Sequence, residues 1–105
     1  LKIMKIAVAT SDGKNVDLHF GSAEIFLIFE IEENNVNFLE LREKPRVQIN
    51  EHSDRWTVSL KLLKDCDAVF CSRIGDEPKE SLQSKGIRIL ESQKSIKEAI
   101  NDYIE

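Results

Sequence analysis

His19 is one of two histidines in the chain, set in the run Val16-Asp17-Leu18-His19-Phe20-Gly21 just ahead of a strongly apolar stretch. An imidazole in a loop can ligate iron or another transition metal, move a proton, or hold the loop by hydrogen bonds. Gly21 beside it would let the backbone approach a bulky ligand closely, and Phe20 would anchor the loop from beneath. The plainer alternative is a histidine that only joins the loop to a sheet. The two cysteines, Cys66 and Cys71, flank a short apolar run. Taken singly, each reads as a small buried hydrophobe; Cys71 is the better metal ligand of the two if its loop converges on that of His19. There is no C-x-x-C and no second cysteine pair, so a structural zinc or an ordinary iron–sulfur site lacks its ligands. A metal site here would be assembled from scattered groups, or would hold a ready-made cluster by few contacts. His52, in Asn50-Glu51-His52-Ser53-Asp54, stands at a helix start, where local capping is the simpler role and metal ligation the sharper one.

Other groups suggest weaker chemistry. Arg42, Lys44, Arg46 and Arg73 could supply local positive charge for an anionic ligand. The segment Ser72-Arg73-Ile74-Gly75-Asp76-Glu77-Pro78 resembles strand-to-helix turns that bind phosphate, but it lacks both glycine-rich nucleotide patterns. Asp12, Asp17 and Asp67 could be imagined as a two-metal nuclease cluster. A nuclease needs carboxylates on the strands themselves, and here the strand interiors are apolar.

The elements that must position these residues follow from periodicity. Residues 3–10 form a short apolar run closed by Ser11-Asp12-Gly13, which predicts a buried strand. Residues 24–31 are apolar on both faces, again a strand well inside a sheet. Glu33-Asn34-Asn35 supplies a turn in which an asparagine takes the left-handed backbone. Residues 36–42 return as the hairpin partner, with an alternation that slips between Phe38 and Leu39 and implies a bulge. Residues 43–52 read as a loop. Trp56, Leu60 and Leu63 mark a helix from Ser53 or Asp54. Residues 67–72 predict a third buried strand, followed by a helix capped by Asp76, with Pro78 in its first turn and Gly86 as its stop. Residues 87–90 predict a last strand. Ser95 and Glu98 form a capping box that opens a final helix with Ile96, Ala99, Ile100, Tyr103 and Ile104 on one side.

The order β-β-β-α-β-α-β-α implies an α/β domain with a mixed five-stranded sheet flanked by helices. If the first strand and the 67–72 strand lie parallel and adjacent, loops 11–21 and 72–77 leave the same carboxyl edge, where open α/β sheets bind ligands. The 105 residues suit a single domain over 1–105, with residues 1–3 as a leading extension before Met4. Hydrophobic residues make up 41% and charged residues 32%, with a net charge of −4. That balance argues against a general nucleic-acid binder. No apolar run approaches membrane-spanning length and no signal peptide opens the chain, so a cytoplasmic setting with reduced thiols is expected.

Residues 4–31, with Asp17-Leu18-His19-Phe20-Gly21 matching a V-D-x-H-F-G signature, resemble the start of the dinitrogenase iron–molybdenum cofactor biosynthesis family. Residues 62–89 resemble its D-C-D-x-V…R-I-G…P…L…G-I stretch. The resemblance implies an RNase H-like fold without nuclease activity, and a non-enzymatic role in binding or carrying the iron–molybdenum cofactor or its iron–sulfur precursor. It implies His19 as a cluster ligand, with Phe20, Gly21, Arg73 and Gly75 around the cofactor and Cys71 or His52 as the second-ligand candidates. Relatives often carry a cysteine in the segment matching 42–54, and this chain has none there. The implied partners are the metallocluster and cofactor-assembly or acceptor proteins, without nucleic acid or membrane, for a monomer or weak dimer. Two other readings stand beside the carrier. One is a small interaction or regulatory module that holds no cluster; the other is an enzyme acting on a phosphorylated substrate at loop 72–77.

Overall fold

Strand β1, Ile3–Ala9, is apolar throughout its second half because both of its faces are covered, and Ile6 to Ala9 are fully buried. The computed structural model describes residues 3–44 and 52–104, without the side chains of 52–55. Ile3, expected with the leading residues to stand outside the fold, opens β1 and pairs with Glu32. β2, Ile25–Glu32, runs antiparallel to β1 and pairs with it from Phe26 to Glu32. β3, Asn35–Glu43, returns beside β2. The residue that takes the left-handed backbone in the connecting turn is Glu33, at φ 56°, not an asparagine. Ile28 pairs with Glu40 and Phe29 with Phe38, which leaves Leu39 as the extra residue of the expected bulge.

The chain then alternates. α1 is His52–Leu62, β4 is Ala68–Cys71, α2 is Asp76–Ser84, β5 is Arg88–Glu91 and α3 is Ile96–Ile104. The strand order is β3-β2-β1-β4-β5, with β4 parallel to β1 and β5 parallel to β4. This is the mixed five-stranded α/β sheet that the element order implies, in keeping with the RNase H-like fold that the resemblance implies. Ala7, Ala9, Phe26, Ile28, Val69 and Cys71 form one core, closed by Leu60, Leu63 and Leu82 from the α1 and α2 side. On the opposite face, Ile6, Val8, Ala68 and Phe70 pack beneath Ile96, Ala99 and Ile100 of α3. Tyr103 meets Phe70 edge-on, with ring centroids 5.5 Å apart. No helix among the described residues is long and apolar enough to cross a membrane.

The helix ends follow their local chemistry. In α3, the Glu98 backbone N–H donates to Ser95 Oγ at 3.1 Å, as a capping box requires. α2 ends on Gly86 at φ 79°, with the Ile87 N–H bonded to the Leu82 carbonyl and the Gly86 N–H to that of Gln83, the Schellman pattern. Its start differs from expectation. Gly75 takes the cap position in extended backbone with no side-chain bond, and Asp76 is already helical. The carboxylates of Asp76 and Glu77 then sit in the first turn, where they favour the positive end of the helix dipole.

Candidate functional site

Because β1 and β4 are parallel neighbours, their outgoing loops leave together, and the backbone ties them further. The Ser72 N–H donates to the Leu18 carbonyl and the Phe20 N–H to the Arg73 carbonyl, both at 2.9 Å. His19 and Arg73 thereby form an isolated parallel bridge beyond the ends of the strands. After His19 the chain makes one 3-10 turn, Phe20–Ser22, held by the Ser22 and Ala23 N–H groups on the His19 carbonyl. Phe20 is fully buried and packs 5.9 Å from Phe26, centroid to centroid. With Phe20 turned inward, His19 and Gly21 on either side face solvent.

The first half of the loop is a rigid support. The Asp12 carboxylate accepts the Lys14 and Asn15 backbone N–H groups and the Asn15 side-chain amide, and these bonds hold its pKa down to about 2. Asp17 accepts the Ser11 backbone N–H at 2.8 Å and also its hydroxyl. The Val16 N–H reaches the Lys94 carbonyl and the Ile96 N–H reaches that of Lys14, fastening the loop to the start of α3. Asp67 is spent elsewhere, accepting the Lys5 N–H. The three carboxylates that could have suggested a nuclease are therefore structural. Among the described residues, no group of three His, Cys, Asp or Glu side chains is placed to hold a metal ion.

Between the two loops lies an open cleft of about 320 Å³, lined by His19, Gly21, Ser22, Arg73, Ile74 and Gly75. Four of the five residues expected around a cofactor thus come together. The fifth, Phe20, does not line the cleft; it is the buried support beneath. Neither glycine on the wall is demanded by the fold. Positive φ is confined to Gly13 and Gly86 among the described glycines; a Cβ at Gly21 would meet no atom within 4 Å, and one at Gly75 would only touch Pro78. A side chain at Gly21 would instead occupy cleft space. The lining has no carboxylate and one guanidinium, and Lys44 Nζ reaches the rim at 3.4 Å from the Gly21 carbonyl. Such a wall suits an anionic, bulky ligand that one imidazole can ligate.

Cys71 does not join His19 at this wall. Strand alternation sends its side chain into the core with Val69 and Leu82, and burial pushes the thiol up to about 12. Cys66 is likewise buried and raised to about 12. The side chain of His52 and all of Arg46 lie outside the described residues. Arg42, expected to add positive charge for a ligand, is consumed by a structural fork. It holds both oxygens of Asp65, the Glu40 carboxylate and the Leu62 carbonyl. Sequence reasoning missed Ser22 and Ile74. The signal for Ile74 was its place between Arg73 and Gly75; Ser22 is brought in only by the 3-10 turn.

A family model described as dinitrogenase iron-molybdenum cofactor matches residues 2–105. The chain belongs to this family. Among its relatives is the FeMo cofactor biosynthesis protein NifB of Azotobacter vinelandii, 36% identical over 88 residues, which are 79% of this chain and 18% of that protein. Protein NifX of the same organism is 29% identical over 86 residues, 82% of this chain and 54% of the relative. The chain therefore spans from under a fifth to about half the length of these family members. The crystal structure of PH0822 is similar, with a TM-score of 0.75 at 26% identity, covering 96% of this chain and 90% of that one.

Proposed function

We propose that this domain takes part in iron–molybdenum cofactor biosynthesis as a non-enzymatic carrier, holding the cofactor or an iron–sulfur precursor as cargo. The observation that carries this reading is the bridge between His19 and Arg73, which sets one exposed imidazole and one guanidinium on the two sides of a cleft whose remaining lining has no charge. His19 would give its ring-nitrogen lone pair to an iron of the cluster. Arg73 would offset the cluster's negative charge, and Gly21 would keep the approach open. A single imidazole suits a protein that must later release its cargo, because few bonds need breaking. Cys71, buried beneath the wall, is no second ligand in this arrangement, and a second bond would come from the acceptor protein or from outside the described residues. The reduced, buried state of both thiols fits a cytoplasmic setting.

Anaerobic titration with isolated iron–sulfur precursor cluster tests the reading, followed by visible absorption and electron paramagnetic resonance. The parent should bind one cluster per chain, and His19→Ala should bind at least about tenfold more weakly, as loss of a metal ligand implies. Equal binding by the two proteins, or none by either, would remove His19 or the carrier role from the account.

A further inference from the structure

The sheet has two edges, and they are built differently. β5 is four residues long, Arg-Ile-Leu-Glu, with a charge at each end. β3 has nine residues, contains no lysine or proline, and exposes Val36 (39%), Phe38 (58%), Leu39 (42%) and Leu41 (50%). Pairing with β2 assigns every residue of β3 except the extra Leu39 to a face. Val36 lies opposite Ile31, Phe38 opposite Phe29 and Leu41 opposite Leu27, all on the α3 face; Asn35, Asn37, Glu40 and Arg42 lie on the α1 face. The apolar side of β3 therefore looks toward the half of the sheet beyond α3, and among the described residues nothing continues the ladder outside it. A long edge with an exposed apolar row and neither lysine nor proline is a template for another strand.

We propose that β3 is the seam of a homodimer, pairing antiparallel with β3 of a second copy about a two-fold axis between Phe38 and Leu39. The bulge selects this register. Because Leu39 is an extra residue, alternation reverses across it, and opposite residues share a face on both sides of the axis only when that reversal is matched in the partner. In this register Val36 faces Leu41, Phe38 faces Leu39, Asn37 faces Glu40 and Asn35 faces Arg42. Apolar groups meet apolar groups, and no like charges oppose each other. Sliding the partner by one residue sets Val36 against Glu40 or Arg42, on the wrong face. The contact is isologous, so it closes at two copies. It leaves the His19 cleft, at the ends of β1 and β4, clear of the seam.

Sedimentation velocity of the full chain across a concentration series reads the assembly. A reversible dimer with a dissociation constant on the order of 10 μM is expected for a short seam. Leu39→Lys should weaken it at least about tenfold by setting a charge on the edge, with an unchanged circular dichroism spectrum showing that the fold persists. The register has its own test. Oxidised Val36→Cys/Leu41→Cys should give a covalent dimer, whereas Val36→Cys alone should not, its two copies lying about 17 Å apart along the seam. Both native thiols are buried and do not compete. A monomer at every concentration, a dimer indifferent to Leu39→Lys, or equal cross-linking by the single variant would each overturn the proposal.

Discussion

The upper and lower sides of the carboxyl edge are made from the same two stretches of chain, residue by residue in alternation. His19, Gly21, Arg73 and Gly75 face solvent, while Phe20 and Ile74 between them and Cys71 just before them are buried, Ile74 still giving an edge to the cleft. The lower set carries the stability of the edge and the upper set carries its chemistry. The exposed set can therefore be altered with little effect on the buried set, and the boundary between them is one residue wide.

The largest effect should come from the lower side. Phe20→Ala removes a fully buried ring against Phe26 and should cost about 3–5 kcal/mol in denaturant unfolding, enough to loosen both loops together. His19→Ala, one residue away, should change stability by less than about 0.5 kcal/mol while cluster affinity falls at least about tenfold. A large stability loss in His19→Ala would make the imidazole a brace for the loop, the plain alternative named at the outset. Gly21→Ala sharpens the comparison further, because its effects should have opposite signs. The fold should gain about 0.4–1 kcal/mol through the restricted unfolded chain, and binding should weaken as the new methyl enters the cleft. The smallest effect concerns acid. The hydrogen bonds on Asp12 hold its pKa below the ordinary 3.8, at about 2, so its contribution is complete above the ordinary value and is lost as pH falls toward 2. Protection of the Lys14 and Asn15 amides, relative to free-chain exchange at each pH, should fall across that window before the core opens; unchanged protection would mean that Asp12 does not hold the loop.

Much of this was legible because hydrophobic patterning reports burial. The apolar centres of β1 and β2, the slip at Leu39, the stop at Gly86 and the capping box at Ser95 each have a local cause that the sequence states outright. The convergence of loops 11–21 and 72–77 was legible too, since it depends only on which strands are parallel neighbours. What stayed hidden was set by long-range partners. Arg42 looked like free positive charge because Asp65 is 23 positions away. Cys71 looked available because its distance from the loop is short in sequence, while strand alternation, which turns its thiol inward, depends on where β4 ends. Gly75 in place of Asp76 as the cap of α2 is a matter of one residue, beyond what a capping preference fixes.

Arg42 also governs how the molecule comes apart. Its guanidinium spans from β3 to the turn after α1, gripping Asp65 with two bonds and the Leu62 carbonyl with a third. An edge strand would ordinarily fray from its ends in small independent steps. Here, peeling the last residues of β3 requires releasing a connection to the opposite layer, so the edge opens as one cooperative unit with the α1–β4 junction. In the monomer, at concentrations well below those of the dimer, hydrogen exchange should then divide β3 lengthwise, with amides that point to β2 slow and amides that point away fast, on a strand that itself stays in place.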